Sequence, residues 1–388
     1  MKKKTIIPYG KQFIDQSDIN EVIRSLKSEY ITTGNYVKKF EFMIKKKFKS
    51  KYALTCSSAT AGLHLAFLSI DLKKDDVVIM PAINFISAYR MASLIGAKVY
   101  LADVDAVSGQ MTPTTLLNCI KKNKIKKIKA VITMYLGGHV SNNVEFYKLK
   151  NKYNYILIED ACHAIGGKYS LNNSSHFIGS CKHSDLCVFS FHPVKTITTG
   201  EGGVITTNSK KYAQRIQLLR NHGIKRDKKY WEYDIQELGY NYRLSDINCA
   251  LGLSQLRKLN SFSQKRKSIF SFYGKKFKKF KNYITYSDNS NTSNCYHFFL
   301  ISVNFKKIKS TKDKLIKFLN KKGIYPQYHY VPIFKFNFYK NKNNKMYPGA
   351  MEYYNKSLSL PVYYNLKREE QIRVVKSMEK FLKNILIS

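Results

Sequence analysis

With 388 residues, 44% of them apolar, the chain is long enough for two domains with sizeable cores and too apolar to be disordered throughout. Its 67 Lys and Arg against 26 Asp and Glu leave a formal charge of +41. The excess is nearly all lysine, scattered as "IKKKFKSK", "IKKNKIKKIK", "QKRKS" and "YGKKFKKFK" among abundant Asn, Ile, Tyr and Phe, which reads as compositional drift and not as a nucleic-acid-binding module.

The N-terminus, "MKKKTIIPYGKQF", starts with charge but lacks the apolar stretch of a signal peptide. No run of eighteen or more apolar residues follows, so no membrane partner is expected. From about 52 to 210, short apolar runs alternate with helical patterns. Strands are expected at 52–56, 76–80, 98–103, 128–136, 155–160, 185–191 and 202–207, and helices at 59–70, 85–96 and 142–153. The strand segments are continuous and rich in Val and Ile, as strands buried on both faces are. Alternation with crossover helices implies an α/β layered domain around a mainly parallel sheet.

A helix over 210–223 closes on a glycine. Residues 244–280 read as one or two long helices, 294–303 as a strand, 311–323 as a helix, and the segment from Arg368 as an amphipathic helix. This texture divides the chain into a large α/β domain with its N-terminal segment, 1–258, and a smaller C-terminal α+β domain, 259–388. The seven cysteines form no CxxC pair, so reduced thiols in a cytoplasmic protein are expected. "CKHSDLC" offers Cys181, His183 and Cys187 as metal ligands, but a second cluster is missing and Cys187 falls in an expected buried strand; no metal is expected.

In an open α/β sheet, ligands bind at the carboxyl ends of strands. Three such ends carry suggestive residues. "TCSSATAG" (55–62) leads from strand to helix, where the first amides and the Thr60 hydroxyl suit a phosphate, although taken alone the segment reads better as a plain helix cap by Ser57 or Ser58. "LIEDACHAIGG" (157–167) ends a strand on Glu159 and Asp160, with His163 three residues on. A carboxylate there is costly unless paired. A protonated ring nitrogen about 4 Å away is worth ~4 kcal/mol at an effective dielectric of ~20, though helix capping or metal binding accounts for the segment equally well. "SFHPVKTITTGEGG" (190–203) delivers Ser190, His192 and Lys195 from a third strand end. A partly desolvated lysine there is an amine nucleophile that forms Schiff bases, or else one more surface charge. Phosphate pocket, ring-nitrogen carboxylate and lysine together are the parts of a pyridoxal 5′-phosphate site.

"SSATAGLHLA", "PAINFISA", "EDACHAIGG", "SFHPVKTITTGEGG", "RNHGI", "GYNYRLSDINCALGLSQL" and "YHYVPI" occur in this order. With them the chain resembles the DegT/DnrJ/EryC1/StrS sugar aminotransferases from about residue 6 to its C-terminus. The resemblance implies fold type I of the pyridoxal-phosphate-dependent transferases (aspartate aminotransferase-like), with a large three-layer α/β domain and a smaller C-terminal α+β domain. It implies that Lys195 holds the cofactor and then acts as acid and base, that Asp160 binds the ring nitrogen, and that His163 lies against the ring. Phe85 would stack on the other face, and Ala59, Thr60 and Ser190 would hold the phosphate. Asn241 would reach the phosphate from a neighbouring subunit, making a homodimer with shared sites. Arg243 and His329 are candidates for substrate contacts, or equally a structural ion pair and a core histidine.

Ala59 stands where the family's phosphate motif usually has glycine, and Gly62 where an alanine follows; the Ala59 amide remains available. Ser-Ala-Thr together with "SFHxxKxITTxEGG" resembles a subgroup serving pseudaminic acid biosynthesis. That implies L-glutamate as amino donor and a UDP-linked 4-keto-6-deoxy-N-acetyl hexose, aminated at C4, as acceptor. Another nucleotide-linked keto sugar is the alternative within the family. Family members that dehydrate at C3 carry histidine at the lysine position, and Lys195 argues against that chemistry.

Overall fold

The computed structural model describes residues 6–226, 231–286, 295–339 and 344–386. Its centre is a seven-stranded sheet: β1 (Tyr52–Cys56), β2 (Val77–Pro81), β3 (Lys98–Ala102), β4 (Ala130–Met134), β5 (Ile156–Asp160), β6 (Leu186–Ser190) and β7 (Gly203–Thr207). The spatial order is β1-β7-β6-β5-β4-β2-β3. All neighbours run parallel except β7, which is antiparallel to both β1 and β6. The sheet is mainly parallel, as expected, with the single strand β7 reversed. The reason is local: the Phe191–Gly202 connection from β6 to β7 contains no helix to carry a parallel crossover, and the chain turns back on itself.

The reversal places the start of β7 among the ends of its neighbours. Gly203 pairs with Cys56 on one side and Ser190 on the other, while Met134 pairs with Asp160. One sheet edge thus collects Cys56, Met134, Asp160, Ser190 and Gly203.

Helices cover both faces. One face packs helices Ala59–Ser69 and Ser87–Leu94 around Leu63, Phe67, Val188 and Ile205. The other packs Asn35–Phe48 and Asp246–Arg257 around Phe40, Phe48, Phe189 and Phe191. Helix Ala59–Ser69 is apolar nearly all round, as a helix buried between sheet and outer helices is. Gly62 lets it settle on the sheet: a Cβ there would stand 3.0 Å from Val188 Cγ1 and 3.1 Å from Cys56 Sγ.

The 244–280 segment is two helices, Asp246–Arg257 and Leu259–Phe277, meeting at Lys258. The second leads into a separate core around Ile269, Phe299, Ile301, Leu358 and Met378. There an antiparallel sheet, β8 (Ile284–Tyr286), β9 (Phe299–Val303) and β10 (Ser357–Leu360), packs with helices Lys312–Lys321 and Arg368–Leu386. Ile7–Pro8 pairs with Ile324–Tyr325, so the segment around Ile7 lies on this second core.

The apolar pattern gave no notice of helices Gln16–Leu26 and Asn35–Phe48. The first begins with a capping box between Asp15 and Asp18. The second is capped from 210 residues away in sequence. Buried Asp246 accepts from the N–H groups of Gly34 and Tyr36, both at 2.7 Å, and of Val37 at 3.3 Å. Among the described residues no helix is long and apolar enough to cross a membrane.

Candidate active site

A cavity of about 510 Å³ opens at the sheet edge where β1, β4, β5 and β6 end. Ala59, Thr60, Phe85, Asp160, His163, Ser190, Lys195 and His329 all line it. Ser58 caps helix Ala59–Ser69 by accepting the Ala61 N–H at 3.1 Å. The cap leaves the first amides of the helix at the cavity, so the capping and phosphate-binding readings are compatible. Thr60 Oγ1 meets Ser87 Oγ at 2.7 Å. Gly203 is required for this approach, since a Cβ there would stand 2.8 Å from the Ala59 nitrogen.

Strand alternation separates the two acids of β5. Glu159 points away from the cavity, accepting from the Tyr135 hydroxyl at 2.5 Å and the Ser184 hydroxyl at 3.0 Å. Asp160 points into it, 3% exposed, and accepts the Cys162 N–H at 3.2 Å. Burial pushes its carboxyl above the usual range; Cys162 and the Lys195 charge act in the opposite direction. Among the described residues no salt bridge reaches Asp160.

Lys195 sits in the turn after β6, its N–H donating to the His192 carbonyl at 2.9 Å. Desolvation holds its ammonium below the ordinary lysine value, opposed by Cys162 and Asp160. The amine therefore loses its proton more readily than the lysines on the surface do.

His163 is buried, and its Nε2 lies 3.0 Å from the Tyr330 hydroxyl. Its ring stacks on His297 at 4.6 Å and 27°. Burial first, then the Lys195 charge, holds the imidazole well below its usual pKa, so it is neutral. His329 is the core histidine and a cavity residue at once. It stacks on Phe298 at 4.0 Å, its Nδ1 lies 2.8 Å from Ser359 Oγ, and burial depresses its pKa to about 3. Phe85 is 53% exposed, its ring 5.7 Å from that of Tyr330.

Two expected residues lie elsewhere. Arg243 is not at the cavity; its Nη1 donates to Asn221 Oδ1 at 2.7 Å, a neutral partner and not an ion pair. Asn241 is exposed, and its backbone bridges to Asn221. In "CKHSDLC", Cys181 and Cys187 are buried and His183 Nδ1 lies 2.7 Å from the Tyr169 hydroxyl.

Sequence reasoning missed Tyr9, Asn84, His297 and Tyr330, which also line the cavity. Asn84 and Tyr330 lie within "PAINFISA" and "YHYVPI", but nothing local sets them apart. His297 read as part of a strand. Only the tertiary fold brings its segment over, through the His297 N–H to the Gly137 carbonyl at 2.9 Å.

The residues present fit pyridoxal 5′-phosphate. A buried carboxylate lacking an ion pair awaits a cationic nitrogen, and helix amides with adjacent hydroxyls form a phosphate cradle that a Cβ at Gly203 would fill. Fold and site together define a pyridoxal-phosphate-dependent transferase of fold type I.

The model of the DegT/DnrJ/EryC1/StrS aminotransferase family matches residues 12–379, and the chain belongs to that family. It is 36% identical over 384 residues to the UDP-4-amino-4,6-dideoxy-N-acetyl-beta-L-altrosamine transaminase of Campylobacter jejuni subsp. jejuni serotype O:23/36, covering 99% of this chain and 97% of that protein. Among solved structures it is similar to Helicobacter pylori PseC, an aminotransferase of pseudaminic acid biosynthesis. The TM-score is 0.88 at 27% identity, over 98% of this chain and 100% of that one. The pyridoxal phosphate form of a putative sugar aminotransferase, Spr1654 of Streptococcus pneumoniae, matches with a TM-score of 0.88 at 25% identity, over 98% and 100% of the two chains.

Proposed function

We propose that the chain transfers the amino group of L-glutamate to C4 of UDP-2-acetamido-2,6-dideoxy-β-L-arabino-hex-4-ulose. The product is UDP-4-amino-4,6-dideoxy-N-acetyl-β-L-altrosamine, on the route to pseudaminic acid in the cytoplasm. The observation that carries this reading is full-length 36% identity to a transaminase of that name, in a chain whose cavity unites Lys195 with Asp160.

Bound pyridoxal phosphate supplies an aldehyde that takes up the amine and a ring that withdraws electrons from the carbon losing its proton. The chain's residues do the rest. The Lys195 amine, with its lowered proton affinity, would anchor the cofactor and serve as the acid and base that moves a proton between the donor's Cα and the cofactor's C4′. Asp160 holds the proton on the ring nitrogen. The Ala59 and Thr60 amides, with the Thr60 and Ser190 hydroxyls, fix the phosphate. Neutral His163 and the Phe85 ring, both at the cavity, would hold the cofactor ring between them.

A second copy completes the reading. Asn241 faces outward, and Trp231, Tyr233, Ile235 and Leu238 near it in sequence are exposed, Leu238 at 91%. Exposed apolar residues in such number suit a subunit interface, from which Asn241 reaches the neighbour's phosphate site.

The test is an assay of candidate UDP-4-keto sugars with glutamate, the product identified by NMR. A 4-amino product of altro configuration is expected. A different stereochemistry, or amination at C3, would move the chain to another branch of the family.

A further inference from the structure

Asn84 lies three residues beyond β2, in the turn that carries Phe85. The turn is held from two sides: the Ala82 N–H donates to the Ala102 carbonyl at 2.8 Å, and the Ile333 N–H donates to the Ala82 carbonyl at 3.0 Å. The side chain lines the cavity and is 1% exposed. Neither Nδ2 nor Oδ1 completes a hydrogen bond, yet the carboxamide stands close enough to Asp160 to favour its charged form.

A buried carboxamide without partners is destabilising, and an apolar side chain of similar size would relieve the cost. Asp160 has the complementary deficit. It is a buried carboxylate with one backbone donor at 3.2 Å and no ion pair among the described residues. An unsatisfied carboxamide just after β2 and a buried carboxylate without an ion pair at the end of β5, with only β4 between the two strands, face one cavity.

We propose that Asn84 is a positioning residue for Asp160: with the cofactor bound, its Nδ2–H donates to the Asp160 carboxylate and holds it on the ring nitrogen. This rests on the reading of the cavity as a pyridoxal phosphate site. Without the cofactor the carboxamide is left short of that bond, so the residue trades stability of the empty protein for order in the loaded one.

The experiment compares the parent, Asn84→Leu and the isosteric pair Asn84→Thr and Asn84→Val, each stripped of cofactor and then titrated with ¹⁵N-labelled pyridoxal phosphate. Empty Asn84→Leu is expected to melt about 2 °C above the parent. It is expected to bind the cofactor about 10-fold more weakly, with the ring-nitrogen NMR signal shifted toward unprotonated pyridine. Asn84→Thr, which keeps a donor, should retain more affinity and a more protonated ring nitrogen than Asn84→Val. That pair decides the matter if the leucine variant does not fold. Parent-like affinity and ring-nitrogen signal in Asn84→Leu, or identical behaviour of the Thr and Val variants, overturns the proposal. A parent that takes up no pyridoxal phosphate overturns the underlying reading instead.

Discussion

Gly203 and Ala59 approach so closely that no side chain fits between them: a Cβ on Gly203 would lie 2.8 Å from the Ala59 nitrogen and from the Ser58 carbonyl oxygen. Both obstacles are backbone, so neither can rotate away. Gly203→Ala is therefore expected to push the start of helix Ala59–Ser69 off the sheet edge. It should cost about 1–3 kcal/mol in stability and weaken cofactor binding by more than it lowers the urea midpoint of the empty protein. Equal cofactor affinity in Gly203→Ala and parent would show that the close approach does not shape the phosphate cradle.

Lys195 is the second test. The parent should become covalently labelled at Lys195 when borohydride is added with pyridoxal phosphate, as peptide mass spectrometry can establish. Lys195→Ala should still bind the cofactor, because Asp160 and the helix amides remain, but should turn over no substrate. The rising limb of the parent's rate with pH should lie below the ordinary lysine pKa of 10.5, since burial favours the uncharged amine. Normal turnover by Lys195→Ala removes the residue from the mechanism.

Much of this site was legible because its residues are local to strand ends. Ser190, Lys195 and the glycines follow one strand, and Asp160 and His163 follow another, so short segments carry both chemistry and position. The sheet strands were legible for a related reason: segments such as Val77–Pro81 and Leu186–Ser190 are buried on both faces and hence almost continuously apolar. Helices Gln16–Leu26 and Asn35–Phe48 were not, because they are lysine-rich or polar and owe their starts to side-chain caps. The second of those caps is Asp246, which no local pattern connects to Gly34. His297 and Tyr330 escaped notice for the same cause. Tertiary contacts with Gly137 and His163 give them their place, and period and spacing carry no trace of such contacts.

Asp246 supplies a prediction away from the cavity. Its buried carboxylate satisfies three backbone N–H groups at the start of helix Asn35–Phe48, all of which lose that partner in Asp246→Ala. The expected loss is about 2–4 kcal/mol, read from urea unfolding. Activity per folded molecule should persist, since Asp246 does not line the cavity. Asp246→Asn, which keeps one acceptor, should recover part of the stability. An unchanged unfolding midpoint in Asp246→Ala would show that the cap contributes nothing.

Three of the four histidines that line the cavity give the empty protein a directional response to acid. His163, His297 and His329 are all depressed by burial, His329 to about 3. Below the ordinary histidine value near 6.5, the unfolded chain therefore binds protons at these positions that the folded chain refuses. Their contribution to stability is fully present above 6.5 and falls as the pH drops, by about 1.4 kcal/mol per pH unit for each histidine. Asp160 and Glu159, raised by burial, contribute the opposite slope, so comparison with a variant isolates the histidine effect. His329→Asn should remove one proton's worth of the slope between pH 6.5 and 4. Its stability relative to the parent should therefore improve steadily on acidification, whatever the offset at pH 7. Parallel stability curves for His329→Asn and parent across that range would mean that His329 takes up its proton in the folded protein as readily as in the unfolded chain.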